Sequence, residues 1–185
     1  MKGIFFSEFL AFVESNYGLA MVDSIIEKSN LTSGGIYTAV GTYYFQEMLQ
    51  LLEHLVEASN VTAEKLLFNY GCYFFSVLET RYHHLLGCYT SPIELLAAVD
   101  HHIHVEVRKL YPDAALPKFS TLEHSAKHLV LQYESSRALY QFGLGLIHKT
   151  FTHFNTSARI NTKKINTDGT LVLFTIHLMH DQKDH

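Results

Sequence analysis

Three histidines, His101, His102 and His104, lie within four positions of the segment DHHIHVEVRKLYP, residues 100–112. Histidine is the most common protein metal ligand, and its charge changes near neutral pH. A zinc centre is not favoured here, because zinc takes four ligands and nothing near these histidines completes a tetrahedral set. Each of the three can be an exposed residue, a buried core residue or the ligand of a bound group. The helix face that each one occupies distinguishes these roles.

The segment is predicted to be helical from Ile93 to Leu110, after Ser91 as N-cap and Pro92 at the first helical position. At about 100° per residue, His104 falls inside the apolar face, His102 falls opposite it and His101 lies on its flank. The apolar face itself consists of Leu96, Val99, Ile103, Val107 and Leu110, widened by Ile93 and Ala97. We therefore expect a buried His104 and an exposed His102. A buried His104 can be a core residue bonded to a carbonyl, or a single axial ligand of haem iron.

A second group of polar side chains lies in the segment YESSR. In an extended strand Tyr133, Ser135 and Arg137 share one face, which continues from Leu129 and Leu131. Two hydroxyls and a guanidinium that converge form a site for carboxylate or phosphate groups. The simpler alternative is a strand end with a solvated arginine and a serine N-cap.

The remaining elements follow from hydrophobic periodicity and turn residues. Helices are predicted from about Phe5 to Tyr17, from Leu19 to Lys28, from about Phe45 to Ala58, from a Thr62 N-cap to about Arg81, and from 136 to 154. The last of these has Gly143 and Gly145 in its interior, where glycine costs about 1 kcal/mol relative to alanine. Such glycines indicate that something large packs against the backbone, either a bound group or another helix.

The last third of the chain predicts strands. The segment HLVLQYESS has β-type composition, and two further strand-like runs flank Asp168-Gly169, a hairpin turn pair. We predict an α+β fold in one domain over residues 1–185, with a helical N-terminal lobe and a C-terminal lobe that carries a small antiparallel sheet and helices.

Composition excludes several classes of protein. The chain has 185 residues, a formal net charge of −4, 13 Phe, 11 Tyr and no Trp. The negative charge and the lack of a basic cluster argue against nucleic-acid binding, and no apolar run is long enough to span a membrane. Cys72 and Cys88 are the only cysteines, which is typical of a reducing compartment. We expect a cytoplasmic protein.

A buried histidine, an anion-binding group, helix glycines and many phenylalanines together describe the requirements of a haem. At these residues the chain resembles the haem-nitric oxide/oxygen-binding (H-NOX) domain, a relative of the haem domain of soluble guanylate cyclase. The resemblance rests on MKGI, on VDHHIHVEVRKLYPDAALP and on the motif Tyr133-x-Ser135-x-Arg137. It implies a haem b between the two lobes, with His104 as the proximal iron ligand. It also implies that the motif residues hold the propionates and that Pro117 presses on the haem.

The resemblance also shows a departure from the O₂-binding members, which carry a distal tyrosine supported by a tryptophan and an asparagine. The corresponding positions here are Phe142, Phe9 and Phe74, and Phe5 and Leu146 also belong to the implied haem pocket. An apolar distal wall offers no hydrogen bond to bound O₂, which needs one more than NO or CO does. The cysteine-bound zinc of some relatives is not expected, because both cysteines precede residue 90.

The resemblance implies a gas sensor selective for NO, which also binds CO, and not an enzyme. It predicts that NO breaks the bond between iron and His104, that the haem flattens against Pro117 and that the lobes shift. The effector would be a separate protein, either a histidine kinase or a cyclic-di-GMP enzyme. Two alternatives remain: a haem carrier or redox protein of the same fold, and a metal-dependent hydrolase that uses histidines and Glu106.

Overall fold

The computed structural model describes residues 1–179. Four helices form most of the N-terminal lobe, and their bounds are Gly3–Tyr17 (α1), Leu19–Lys28 (α2), Phe45–Ser59 (α3) and Ala63–Arg81 (α4). The predicted Thr62 cap of α4 is confirmed, since its hydroxyl accepts a hydrogen bond from the Lys65 N–H at 3.3 Å. The apolar faces of these helices enclose a first core around the fully buried Phe6, Phe9 and Tyr70.

The segment predicted as one helix over Ile93–Leu110 is divided into three parts. A separate short helix, His83–Leu86 (α5), precedes this segment. Within the segment, helix Pro92–Ala97 (α6) leads into a π-helical turn over Val99–Ile103. Helix α7, His104–Leu110, follows directly, and the His104 N–H bonds to the Val99 carbonyl five residues back. Single π-helical turns insert an extra residue into a helix and are frequent at functional sites. Ser91 is not a side-chain cap, because its hydroxyl bonds no helix N–H.

The C-terminal lobe contains a four-stranded antiparallel sheet in the order β1-β2-β4-β3. Its strands are Lys118–His124 (β1), His128–Glu134 (β2), Ala158–Lys164 (β3) and Leu171–Leu178 (β4), and helix α8, Tyr140–His153, connects β2 to β3. The predicted hairpin turn is confirmed. Gly169 has a φ of +80°, and the Asp168 carboxylate accepts hydrogen bonds from the N–H and hydroxyl of Thr170. The α+β prediction is confirmed.

A second core fills the space between the sheet and the helices. Alternate residues of β2 and β4 point into it: Leu129, Leu131, Tyr133, Val172, Phe174 and Ile176. Helices α4 and α8 cross at close range, since a Cβ at Gly145 would lie 2.2 Å from the Phe68 carbonyl oxygen. Gly145 therefore makes room for another helix, whereas Gly143 lines the cavity described below.

A polar contact joins the N-terminal lobe to the loop after α7. The Lys2 ammonium lies 2.7 Å from one Asp113 oxygen, and the Thr42 hydroxyl donates to the other at 2.6 Å. These bonds lower the pKa of Asp113 to about 2. Within residues 1–179 no helix combines the length and the apolar character needed to cross a membrane.

Candidate functional site

A cavity of about 280 Å³ lies between the two lobes. Its walls come from α1, α4, α6, α7, α8, the π-helical turn, the loop 111–117 and the inner face of the sheet. Most of the lining side chains are apolar. The polar lining side chains are His104, the group Tyr133, Ser135 and Arg137 at the end of β2, and four others: Lys2, Tyr82, Tyr111 and Thr150. An apolar cleft with a few convergent polar groups is the usual form of a cofactor site.

His104 is placed as predicted, buried and lining the cavity. Its Nδ1 lies 3.5 Å from Oδ1 of Asp100, one helical turn back, and has no closer partner among residues 1–179. Burial lowers the pKa of His104, while the neighbouring Asp100 acts in the opposite direction. Because a neutral imidazole keeps a lone pair and Nδ1 faces Asp100, Nε2 is available to an iron in the cavity.

Asp100 connects the histidine to the sheet. Its Oδ1 also accepts a hydrogen bond from the Phe119 N–H of β1 at 3.1 Å. The Phe119 ring then lies between the rings of His104 and Tyr133, with centroid distances of 5.9 and 5.5 Å. Strand β1 therefore holds the Asp100 carboxylate, and Asp100 faces Nδ1 of the imidazole. Carboxylates orient metal-binding histidines in this way in general. Neither β1 nor the role of Asp100 was predicted from the sequence.

The other two histidines of the segment do not line the cavity. His101 is exposed. The prediction of an exposed His102 is wrong: it is half-buried, and its Nδ1 makes a hydrogen bond with the Tyr89 hydroxyl. The π-helical turn changes the angular position of residues before His104, so an ideal helical wheel misplaces them. The predicted apolar face is confirmed, since all five of its residues line the cavity: Leu96, Val99, Ile103, Val107 and Leu110.

Tyr133, Ser135 and Arg137 come together at the edge of the cavity. Strand β2 ends at Glu134 and α8 begins only at Tyr140, so Ser135 is in a turn and is not the N-cap of α8. The Ser135 hydroxyl accepts a hydrogen bond from the Arg137 N–H at 3.2 Å. In this way the turn orients the arginine toward the loop that precedes β1.

The Arg137 guanidinium is half-buried and lacks a carboxylate partner within residues 1–179. It donates to the Ala115 carbonyl at 2.8 Å, and its charged carbon lies 5.6 Å from the centre of the Phe45 ring. Burial lowers the pKa of Arg137, although the group remains a cation. A partly buried cation without a counter-ion beside two hydroxyls fits an anionic group at this edge.

The wall formed by α1, α4 and α8 is aromatic. The Phe142 ring lies 4.8 Å from Phe5 and 5.5 Å from Phe74, measured between centroids, and Leu146 follows one turn later on α8. These four side chains have no hydrogen-bond donor. Phe9 does not line the cavity: it is fully buried one layer behind, 5.3 Å from the Tyr70 ring.

Tyr70 lies directly behind this wall and was not predicted from the sequence. It is fully buried, and its ring contacts the rings of Phe5, Phe74 and Phe142 at centroid distances of 5.1–5.8 Å. Its hydroxyl donates to the Phe5 carbonyl at 2.6 Å and is therefore turned away from the cavity lining. No periodicity in the sequence distinguishes this tyrosine from an ordinary core residue.

Taken together, these residues fit a haem. The space between the lobes is apolar, and one buried imidazole can supply a nitrogen to the iron. The Arg137 cation, which has no carboxylate partner within residues 1–179, can meet the propionates together with two hydroxyls. Pro117 lies on the cavity, in the loop between α7 and β1. The hydrolase alternative has no support, because Glu106 pairs with Lys109 at 2.5 Å and no group of three or more potential metal ligands occurs within residues 1–179.

Comparisons with known proteins lead to the same fold. A family model described as Haem-NO-binding matches residues 2–162. The chain is similar to the Fe(II) unliganded H-NOX protein from K. algicida, with 52% identity, a TM-score of 0.96 and 100% of both chains covered. It is also similar to the CO-bound H-NOX from Shewanella woodyi, with 34% identity, a TM-score of 0.81, and 96% of this chain and 94% of that one covered.

A third similar structure, an H-NOX protein from S. oneidensis in the Fe(II)NO state, has 22% identity and a TM-score of 0.89 over 97% of this chain and 100% of that one. No curated protein sequence matches the chain. Proteins of the H-NOX family are haem-containing gas sensors and not enzymes. Since the family model covers most of its length and the K. algicida relative shares more than half of its residues, this chain belongs to the Haem-NO-binding (H-NOX) family.

Proposed function

We propose that this chain is an NO sensor that discriminates against O₂. The supporting observation is the wall of Phe5, Phe74, Phe142 and Leu146, which presents no hydrogen-bond donor to the cavity. Bound O₂ becomes partly anionic and gains stability from a donor, whereas NO and CO depend on one much less. A wall of this composition therefore favours NO and CO.

The proposed cofactor is haem b, held without a covalent bond to the protein. Both cysteines are free thiols, and neither Cys72 nor Cys88 lies on the cavity. His104 would bind the iron through Nε2, with Asp100 behind Nδ1 to fix the orientation of the ring. Tyr133, Ser135 and Arg137 would hold the propionates.

When bound, the haem would supply a ferrous iron, held by His104, that can take a gas molecule. His104 is the first residue of α7, and the π-helical turn directly precedes it. Release of Nε2 from the iron would therefore free the N-terminal end of α7, which the π-helical turn separates from α6. If the loop after α7 moved, the ion pair between Asp113 and Lys2 would couple that movement to the N-terminal lobe. The output would be a change in the relation of the two lobes.

The proposed partner is a separate effector protein, a histidine kinase or a cyclic-di-GMP enzyme, and the proposed location is the cytoplasm. The resemblance in the sequence supports the partner, and the two free cysteines support a reducing compartment. Addition of the protein to a candidate effector, with and without NO, tests this part through the effector's own activity.

Electron paramagnetic resonance of the ferrous protein with one equivalent of NO tests the sensing step. If Nε2 of His104 leaves the iron, the spectrum shows splitting from the NO nitrogen alone. Persistent additional splitting from an imidazole nitrogen would contradict the proposed step. The same experiment on His102→Ala, whose histidine lies outside the cavity lining, should give the wild-type result.

A further inference from the structure

A pair of histidines lies on the outer face of the sheet, away from the cavity. His128 of β2 and His177 of β4 are directly opposite each other in the antiparallel register. Their Nδ1 atoms are 3.1 Å apart and their ring centroids 4.3 Å apart. Neither residue lines the cavity. The proposed gas-sensing function therefore does not use this pair.

A carboxylate fixes the proton positions of the pair. Oε2 of Glu123, on β1, lies 2.9 Å from Nε2 of His128. A carboxylate accepts a hydrogen bond at that position, so Nε2 of His128 carries the hydrogen and Nδ1 keeps its lone pair. The Nδ1 lone pair of His128 consequently accepts a hydrogen bond from the Nδ1–H of His177, and a bound metal ion would displace that proton. At metal sites in general, a carboxylate often accepts a hydrogen bond from one imidazole nitrogen while the other nitrogen binds the metal.

The spacing of the two nitrogens suits a transition metal. Metal–nitrogen bonds of about 2.0–2.1 Å at angles between roughly 90° and 110° place two ligand nitrogens about 2.9–3.4 Å apart. The observed 3.1 Å lies within this interval. Both residues reach solvent: His177 is exposed, and the side chain of His128 is 26% exposed. Water can therefore complete the coordination.

We infer that Glu123, His128 and His177 form a surface site for a divalent transition-metal ion such as Zn²⁺ or Cu²⁺, with the two Nδ1 atoms as ligands. Within residues 1–179 no third His, Cys, Asp or Glu converges on the same position. Arg159 is opposite His177 on β3. Its charge weakens the attraction of this position for a cation. The lack of a third ligand in the described part of the chain and the charge of Arg159 both indicate a moderate affinity. A bound ion would connect the two central strands of the sheet, β2 and β4.

Titration of the haem-loaded full-length protein with Zn²⁺, followed by calorimetry, tests this site. Wild type should bind one equivalent more than His128→Ala or His177→Ala, and Glu123→Gln should weaken that equivalent by roughly 10- to 100-fold. Cu²⁺ should bind more tightly than Zn²⁺, and Mg²⁺, which prefers oxygen ligands, should not occupy the site.

His54 provides a matched control. It also faces a carboxylate, Glu57 at 3.2 Å, but no second imidazole lies beside it within residues 1–179, so His54→Ala should keep the wild-type stoichiometry. Circular dichroism and the haem absorption of each variant confirm that the fold is unchanged. Equal Zn²⁺ binding by wild type, His128→Ala and His177→Ala would overturn the inference, as would an equal loss in His54→Ala. These outcomes do not depend on whether the protein senses NO.

Discussion

The substitution Phe142→Tyr tests how the cavity selects its gas. Phe142 is in the first turn of α8 and is half-buried because one side of its ring faces the cavity. Tyrosine adds one hydroxyl at nearly constant ring volume, so the contacts with Phe5 and Phe74 should persist. The variant therefore differs from wild type mainly by one hydrogen-bond donor on the cavity wall.

The expected gain follows from the surroundings of that donor. A hydrogen bond to bound O₂ in this apolar pocket should contribute about 1–2 kcal/mol, roughly a fivefold to thirtyfold increase in O₂ affinity. A second donor that would orient the new hydroxyl is missing, since Phe74 is apolar and the Tyr70 hydroxyl is bonded to the Phe5 carbonyl. We therefore expect measurable but short-lived O₂ binding.

The assay is the visible spectrum and the O₂ dissociation rate of the ferrous proteins, in air and under argon. Tyr70→Phe is the matched control, because it removes a hydroxyl that faces away from the cavity lining and should leave gas binding unchanged. The reasoning is refuted if Phe142→Tyr keeps its haem and its CO binding but gains no affinity for O₂. It is equally refuted if the control gains O₂ affinity.

Three further predictions concern the haem site and the helices around it. His104→Gly should lose the wild-type ferrous spectrum and His102→Ala should keep it; equal spectra would remove His104 as the ligand. Arg137→Ala should release haem to apo-myoglobin roughly tenfold to a hundredfold faster, because it loses a charge-assisted hydrogen bond of about 1.5–3 kcal/mol; an unchanged transfer rate would exclude it from propionate binding. Gly145→Ala should destabilise the fold by about 1–3 kcal/mol, since its Cβ would lie 2.2 Å from the Phe68 carbonyl oxygen; a melting temperature at or above that of wild type would contradict this contact.

Much of the fold could be predicted because its determinants are local. The Thr62 cap and the Asp168-Gly169 turn depend on a few adjacent residues, and both occur as predicted. The buried His104 follows from a helical apolar face that continues on both sides of it. Such features need no knowledge of the tertiary contacts.

The parts that could not be predicted depend on tertiary packing. Strand β1 is largely exposed and lacks the apolar alternation of a half-buried strand, so only its pairing with β2 defines it. The π-helical turn leaves no periodicity of its own, and for that reason His102 was misplaced. Phe9 and Phe74 are alike in sequence terms, yet only Phe74 lines the cavity. Since a cofactor slot and a core consist of the same apolar residues, only the three-dimensional structure separates them.

Gas binding by the wild-type ferrous protein is the most direct test of the donor-free wall formed by Phe5, Phe74, Phe142 and Leu146. The measurement is the visible spectrum of the purified protein, reduced under argon and then exposed separately to air, CO and NO. We expect the spectrum of the ferrous protein to change with CO and with NO, and we expect no O₂ complex in air. A stable O₂ complex of the unmodified protein would contradict this expectation.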